Sequence, residues 1–199
     1  MQQLGAGMGR TRTFEADRVV RAALGVFWRS GYEGASVPAL EAATGLNRSS
    51  IYHSFGSKRG LFDAAVQTYL DDVVRPRLRP LLAEPVSPDA VVDYLAGLRD
   101  ALARTGEIQA DSGCLLVNTS VAPIARDEAV RQTVADYRAE LRAALGRGVD
   151  ARFSGRAQAE RDQLADLCTS LVVSAFALVR VDPPSAVGSL DSALVLLKG

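Results

Sequence analysis

Side chains able to contact nucleic-acid bases are concentrated in one short segment, at Arg48, Ser49, Ser50 and His53. An arginine presents paired donors that match the acceptors of guanine, while serine and histidine are adaptable partners for other base edges. No second Cys, His or carboxylate lies at ligand spacing from His53, which disfavours metal binding. The segment therefore predicts a surface that reads DNA bases, with a solvated ring as the alternative for His53.

Three polar side chains near this segment suit phosphate contacts, namely Ser36, Tyr52 and Lys58. Phosphate contacts fix position without reading sequence, so hydroxyl and ammonium donors suffice. Charge supports a polyanionic partner, because residues 1–60 hold eight Lys/Arg against four Asp/Glu although the whole chain is neutral. Phosphate attraction needs such a local positive surface rather than a positive total. An imbalance of this size is equally compatible with an ordinary solvated face.

Two short predicted helices position these side chains. Ser36 is a suitable N-cap for the first, and Asn47 for the second, which spans roughly residues 48–55. Gly45 tolerates the positive φ of an intervening turn. This is the helix-turn-helix arrangement. The apolar residues spaced to pack the two helices together are Leu40, Ala43, Leu46 and Ile51.

The remainder of the chain is predicted to be helical as well. Apolar residues recur at helical spacing, and no stretch alternates as a strand would. Pro76 and Pro80 are expected to end or kink the helix that follows the helix-turn-helix, near Val74. The last two predicted helices have apolar faces too broad for one partner, which predicts self-association into a four-helix interface around a two-fold axis.

An apolar cavity is expected between the C-terminal helices, where ligand sites of helical domains tend to lie. The candidate lining residues, most of which could equally be core, are Tyr94, Leu98, Cys114, Asn118, Tyr137 and Phe176. For Asn118, a hydrogen bond to a neighbouring backbone group is an equal alternative. Cys114 has three interpretations: an inert small hydrophobe, a pocket-lining residue or a reactive thiol sensor.

Composition excludes several other classes of protein. Two cysteines are too few for a disulfide framework, which favours a reduced, cytoplasmic compartment. No apolar run approaches the length of a membrane span, and the N-terminus lacks the apolar segment of a signal peptide. No catalytic carboxylate pair, Ser-His-Asp signature or phosphate loop is recognisable, so we expect neither an enzyme nor a bound cofactor or metal.

One part of the chain resembles the TetR family of transcriptional regulators. The resemblance is carried by Gly31-Tyr32-Glu33 before a Ser-capped helix, Gly45 in the turn, and Ile51-Tyr52-His53-x-Phe55-x-x-Lys58-x-x-Leu61. It is strong over residues 12–62 and elsewhere concerns mainly the number and length of the helices. The segment Gly113-Cys114-Leu115-Leu116-Val117-Asn118 also resembles a sixth-helix motif found in a subset of the family.

The resemblance implies an all-α fold of about nine helices. Residues 1–11 would form a flexible N-terminal arm, residues 12–58 a three-helix DNA-binding domain with the helix-turn-helix, and residues 59–199 a helical ligand-binding and dimerisation domain. Arg10 and Arg12 in the arm would either reach a minor groove or fray.

The same resemblance implies a function. Ser36, Tyr52 and Lys58 would contact the DNA backbone, and Arg48 to Ser50 with His53 would read a double-stranded operator. The expected protein is a homodimeric, ligand-responsive transcriptional regulator, a repressor released from a pseudo-palindromic operator by a small-molecule inducer. The alternative is a helical small-molecule-binding or scaffolding protein whose helix-turn-helix contacts a protein partner.

Overall fold

The structure is a computed structural model that describes residues 7–104 and 111–198, with side chains from Glu15 onward. Every regular element within these ranges is a helix, which confirms the all-α prediction. No helix in the described ranges is both long enough and apolar enough to cross a membrane. Internal contacts divide the chain into two compact units, residues 1–72 and 73–199. The boundary expected at residue 58, between a DNA-binding and a ligand-binding domain, is defined by function and stays a prediction.

The described part of the N-terminal unit contains α1 (Gly7–Gly34), α2 (Val37–Thr44), α3 (Arg48–Phe55) and α4 (Lys58–Tyr69). Because α1 begins at Gly7, the backbone is already helical over the last residues of the predicted arm. The side chains of Arg10 and Arg12, and all of residues 1–6, lie outside the described residues. Gly31 has φ +70° and interrupts the regular helical conformation within α1.

Aromatic rings join α1 to α4. The Phe27 and Phe62 rings meet edge to face with centroids 5.2 Å apart, and Tyr32 meets Phe62 at the same distance. Trp28 packs edge to face on Tyr69 at 4.9 Å. Phe27 and Phe62 are almost completely buried. Each such pair contributes about 0.5–1.5 kcal/mol beyond the stabilisation from the apolar area that it buries. The cluster therefore stabilises the packing of α1 against α4.

The described part of the C-terminal unit contains α5 (Arg75–Leu82), α6 (Ala90–Ala103), α7 (Leu115–Ser120), α8 (Glu128–Arg152), α9 (Gln158–Leu178) and α10 (Pro183–Leu196). Asp127 caps α8 by accepting hydrogen bonds from the Ala129 and Val130 N–H groups. Asp182 caps α10 in the same way through the Ser185 N–H. Helix α9 packs against α8 and α10, and α10 packs against α6.

Pro76 distorts the helix before it rather than ending it. The α-helical conformation stops at Tyr69, and Leu70–Val74 forms a π-helical turn that leads directly into α5. Proline has no N–H to donate and its ring collides with the carbonyl of the preceding turn, so a wider turn relieves the conflict. The helix predicted to end near Val74 therefore leaves the α conformation earlier, and the chain continues as helix past Pro80.

Candidate nucleic-acid interface and effector cavity

Helices α2 and α3 begin at the two N-caps that the sequence predicts. The Ser36 hydroxyl oxygen accepts a hydrogen bond from the Ala39 N–H at 3.2 Å. The Asn47 side-chain oxygen accepts one from the Ser50 N–H at 2.8 Å. Between them Gly45, at φ +73°, closes α2 in a left-handed conformation that a Cβ would strain. The turn therefore follows from local side-chain chemistry.

The packing between α2 and α3 agrees with the sequence prediction except at one residue. Leu40 and Ile51 are buried to 1% and 2% exposure, and Leu46 is half-buried. Ala43, predicted to pack between the helices, is exposed, and the buried residue is Thr44. Thr44 lies four residues after Leu40 and so shares its helical face. Its hydroxyl donates to the Leu40 carbonyl and accepts from the Leu46 N–H, which satisfies a polar group inside the turn.

Glu41 connects the two helices directly. Its carboxylate accepts a hydrogen bond from the backbone N–H of Arg48, the first residue of α3. A carboxylate at a helix N-terminus is favourable because it faces the positive end of the helix dipole. Sequence reasoning missed this contact because it depends on the angle between the helices, which spacing alone does not give. The bond fixes the direction in which α3 leaves the turn.

The predicted base-reading side chains lie on the outer part of α3. Arg48, Ser49 and His53 are exposed, while Ser50 and Tyr52 are half-buried. The Arg48 guanidinium carbon lies 5.2 Å from the centre of the Tyr52 ring, within the range of a cation–π contact. The exposed side chains of α3 are therefore accessible to the base edges of a DNA major groove, which is wide enough to admit an α-helix.

Lys58 lies in the first turn of α4 against an aromatic face. Its ammonium nitrogen is 4.5 Å from the centre of the Tyr32 ring. Partial burial lowers the pKa of Lys58 from its usual value, and the nearby negative charge of Glu33 acts in the opposite direction. The contact between Lys58 and Tyr32 could not be predicted from the motif, because the two residues belong to different helices. Tyr32 therefore fixes where the Lys58 cation lies.

The corner between α3 and α4 is tight. Gly56, at φ +74°, closes α3, and the Ser57 hydroxyl oxygen caps α4 by accepting from the Gly60 N–H at 3.0 Å. A Cβ on Gly60 would lie 2.0 Å from the carbonyl oxygen of Phe55, far inside contact distance. Helix α4 can therefore start this close to α3 only because residue 60 is glycine.

A cavity of about 300 Å³ lies in the C-terminal unit, along one face of α6. Tyr94 and Leu98, two of the predicted lining residues, lie on its wall. The other lining residues are Arg77, Pro80, Ala90, Asp93, Gly97, Ala101 and Arg104. The charged lining residues, Arg77, Asp93 and Arg104, were not predicted from the sequence. Their local pattern is the same whether they line a cavity or face solvent.

Cys114 and Tyr137 do not line this cavity. Both are buried, and the Cys114 thiol donates to the Tyr137 hydroxyl across 3.4 Å. Both side chains belong to the buried core, and Cys114 occupies the N-cap position of α7, which begins only at Leu115.

Asn118 and Phe176 are also absent from the cavity wall. The Asn118 amide donates to the Ser112 carbonyl at 2.7 Å, which is the backbone hydrogen bond that the sequence left as an alternative. The Phe176 carbonyl oxygen would lie 2.7 Å from a Cβ on Gly113. Gly113, at φ +66°, interrupts the helix predicted across this segment and brings it close to α9.

Comparison with known proteins relates part of the chain to bacterial regulatory proteins. Residues 19–65 match the family model described as "Bacterial regulatory proteins, tetR family". The transcriptional repressor ComR of Escherichia coli is 31% identical over 122 residues, which cover 60% of this chain and 57% of ComR. The transcriptional regulator YezE of Bacillus subtilis is 32% identical over 60% of each chain. The matched region thus spans less than two thirds of either curated relative.

Solved structures extend the likeness to most of the chain. A cysteine mutant of the TetR-family regulator CifR, complexed with 26 bp operator DNA, has a TM-score of 0.75 at 26% identity, covering 90% of this chain and 95% of CifR. A TetR regulator from Chloroflexus aurantiacus has a TM-score of 0.75 at 28% identity over 94% of both chains. The likeness to these regulators therefore covers residues of both units.

Proposed function

Since this chain belongs to the TetR family of bacterial regulatory proteins, we propose that it is a ligand-responsive, DNA-binding transcriptional repressor. The observation that carries the proposal is the outer part of α3, whose exposed arginine, serine and histidine lie on a doubly capped helix-turn-helix. This helix-turn-helix lies within residues 1–60, which hold twice as many Lys/Arg as Asp/Glu residues. Because the family consists of regulators, we assign no enzymatic activity to the chain, and we place its action in the cytoplasm.

In the proposed complex, α3 lies in a major groove with its N-terminal residues against the base edges. Arg48, Ser49, Ser50 and His53 read the bases, and Ser36, Tyr52 and Lys58 contact phosphates. The Ser36 oxygen already accepts the capping hydrogen bond from Ala39, so its hydroxyl hydrogen is the atom that donates to a phosphate. CifR is a relative complexed with operator DNA, which supports this assignment.

The experiment that tests DNA binding compares two lysine variants of the full chain. The sequence contains only two lysines, Lys58 and Lys198, and they belong to different units. We expect Lys58→Ala to weaken binding to all duplexes about equally and to reduce the slope of log K against log salt by about one. Lys198→Ala removes the same charge and should leave the slope unchanged.

The duplexes for this measurement come from genomic fragments captured by the unmodified chain, and binding is followed by fluorescence anisotropy across a salt series. Failure to bind any duplex at low ionic strength would contradict the proposal. Binding that does not respond to salt would favour the alternative in which the helix-turn-helix contacts a protein partner.

We further propose that two copies pair through α9 and α10. Apolar side chains remain exposed there, including Leu167 at 42% and Val195 at 62%. A two-fold pair would cover these side chains and place two copies of α3 on half-sites about 34–36 Å apart. We expect light scattering to give twice the chain mass, and Leu167→Glu to shift the equilibrium toward monomer. Val121→Glu, at an exposed apolar residue outside both helices, is the matched control and should remain dimeric.

Release from DNA follows from a difference in ligand affinity between two states of the dimer. A small molecule that binds more tightly to a dimer with wrongly spaced α3 helices shifts the population away from the operator. A coupling free energy of about 1–3 kcal/mol changes operator affinity about 5–150-fold. The cavity beside α6 is the proposed site for that molecule.

A further inference from the structure

The cavity beside α6 has an uneven distribution of charge. Its wall carries two arginines, Arg77 and Arg104, and one carboxylate, Asp93. Arg77 is half-buried, whereas Arg104 and Asp93 are exposed. A cation partly removed from water attracts an opposite charge more strongly than an exposed carboxylate does, because the local dielectric constant is lower. The wall therefore favours a ligand with a negative charge over one with a positive charge.

Tyr94 places a second donor group on the same wall as Arg77. Burial raises the pKa of the Tyr94 hydroxyl well above its usual value, and the positive charge of Arg77 acts in the opposite direction. The hydroxyl therefore stays protonated at neutral pH and can donate a hydrogen bond. A guanidinium carries five N–H donors, so Arg77 can bind a ligand in addition to its contacts within the protein.

The rest of the wall is apolar and the space is small. Leu98, Ala90 and Ala101 are buried around the cavity, and Pro80 adds to the apolar wall. A volume of about 300 Å³ lies at the lower end of the range of about 300–1,000 Å³ that is typical of small-molecule sites. A single ring or a short branched chain fits within this space.

From this combination we propose that the cavity binds a small monocarboxylate, with its carboxylate at Arg77 and Tyr94 and its apolar body against α6. A carboxylate offers two coplanar oxygens that match the paired donors of a guanidinium. A doubly charged phosphate ester fits less well, because Asp93 also faces the cavity. The inference rests on the proposed function, in which a small molecule controls DNA binding, and names the chemical class of that molecule.

The test uses three probes of nearly the same shape: benzoate, benzamide and benzamidine. Their binding to the full chain, without DNA, is measured by isothermal titration calorimetry. An ionised carboxylate accepts stronger hydrogen bonds from a guanidinium than a neutral amide does, so we expect benzoate to bind at least about ten-fold more tightly than benzamide. Benzamidine, which carries a positive charge, should bind most weakly.

Two arginines on α5 provide a variant and its control. Arg77→Gln should abolish the preference for benzoate over benzamide. Arg79→Gln, at an exposed residue of the same helix that does not line the cavity, should retain it. Tyr94→Phe keeps the ring and removes the donor, and should reduce the preference in part. This third variant decides the question if Arg77→Gln does not fold by circular dichroism.

Equal binding of the three probes, a preference for benzamidine, or no saturable benzoate binding in the millimolar range would overturn the proposal. An equal loss in Arg77→Gln and Arg79→Gln would overturn the role of Arg77. The DNA capture described above needs no ligand and fails independently. A chain that binds no duplex yet prefers benzoate refutes the repressor assignment alone, and a chain that binds duplexes without preferring benzoate refutes the ligand class alone.

Discussion

Gly60→Ala is expected to unfold much of the N-terminal unit and to abolish DNA binding. The added Cβ would lie 2.0 Å from the Phe55 carbonyl oxygen, and a backbone carbonyl cannot move aside as a flexible side chain can. The corner between α3 and α4 must therefore open. We expect the free energy of unfolding to fall by about 3 kcal/mol or more. Chemical denaturation followed by tryptophan fluorescence measures it, because the single tryptophan, Trp28, belongs to this unit.

The matched control is Gly25→Ala in the same unit. Gly25 lies within α1, and a Cβ there would have only the Arg29 guanidinium as its nearest neighbour, at 3.6 Å. Alanine is favoured over glycine inside a helix by up to about 1 kcal/mol, so this variant should be unchanged or slightly more stable. If the Gly60→Ala protein were as stable as the Gly25→Ala protein, the close approach of residue 60 to the Phe55 carbonyl would be contradicted.

Arg48 substitutions are expected to change which DNA sequence the protein selects. Arg48→Ala should remove about 1–3 kcal/mol of discrimination at one base pair of each half-site, which is the usual worth of a paired arginine–guanine contact. Enrichment of random duplexes on the purified protein, followed by sequencing, measures the preference at every position. We expect one position of the recovered motif to lose its preference while the others keep theirs.

Arg48→Lys separates charge from geometry. The ammonium keeps the positive charge but lacks the planar fork of the guanidinium. We therefore expect this variant to bind random duplexes as well as the unmodified chain does, while losing the base preference as Arg48→Ala does. If both variants recover the same motif as the unmodified protein, Arg48 does not read a base.

The helix-turn-helix could be predicted in detail because its determinants are local. Ser36 and Asn47 are side-chain caps and Gly45 is a backbone requirement, and each acts within a few residues of its own position. Ala43 was misplaced because its residue type was given more weight than its position on the helix. Its apolar character fits a core position, but only the helical phase set by Leu40 decides that Thr44 is buried instead.

The cavity beside α6 was harder to predict because its wall is assembled from different parts of the chain. Tyr94 and Leu98 follow from the periodicity of α6, but Arg77 comes from α5, between two prolines. Cys114 and Tyr137 contact each other in the core and do not line this cavity, so their assignment to a ligand site stays a prediction. Apolar positions that line a cavity and those that fill a core are alike in sequence, since both are selected for burial.

In the proposed complex with DNA, the Glu41 carboxylate affects how strictly α3 would distinguish its target from other DNA sequences. Helix N-termini commonly hold a phosphate through their free backbone donors, and such a contact adds affinity for every sequence alike. Here an internal anion already engages the Arg48 N–H. It also repels an approaching phosphate at that point. In that complex α3 would attract the phosphates of every sequence less and depend more on its side chains. The difference in affinity between a correct site and the many incorrect sites of a genome would then be larger.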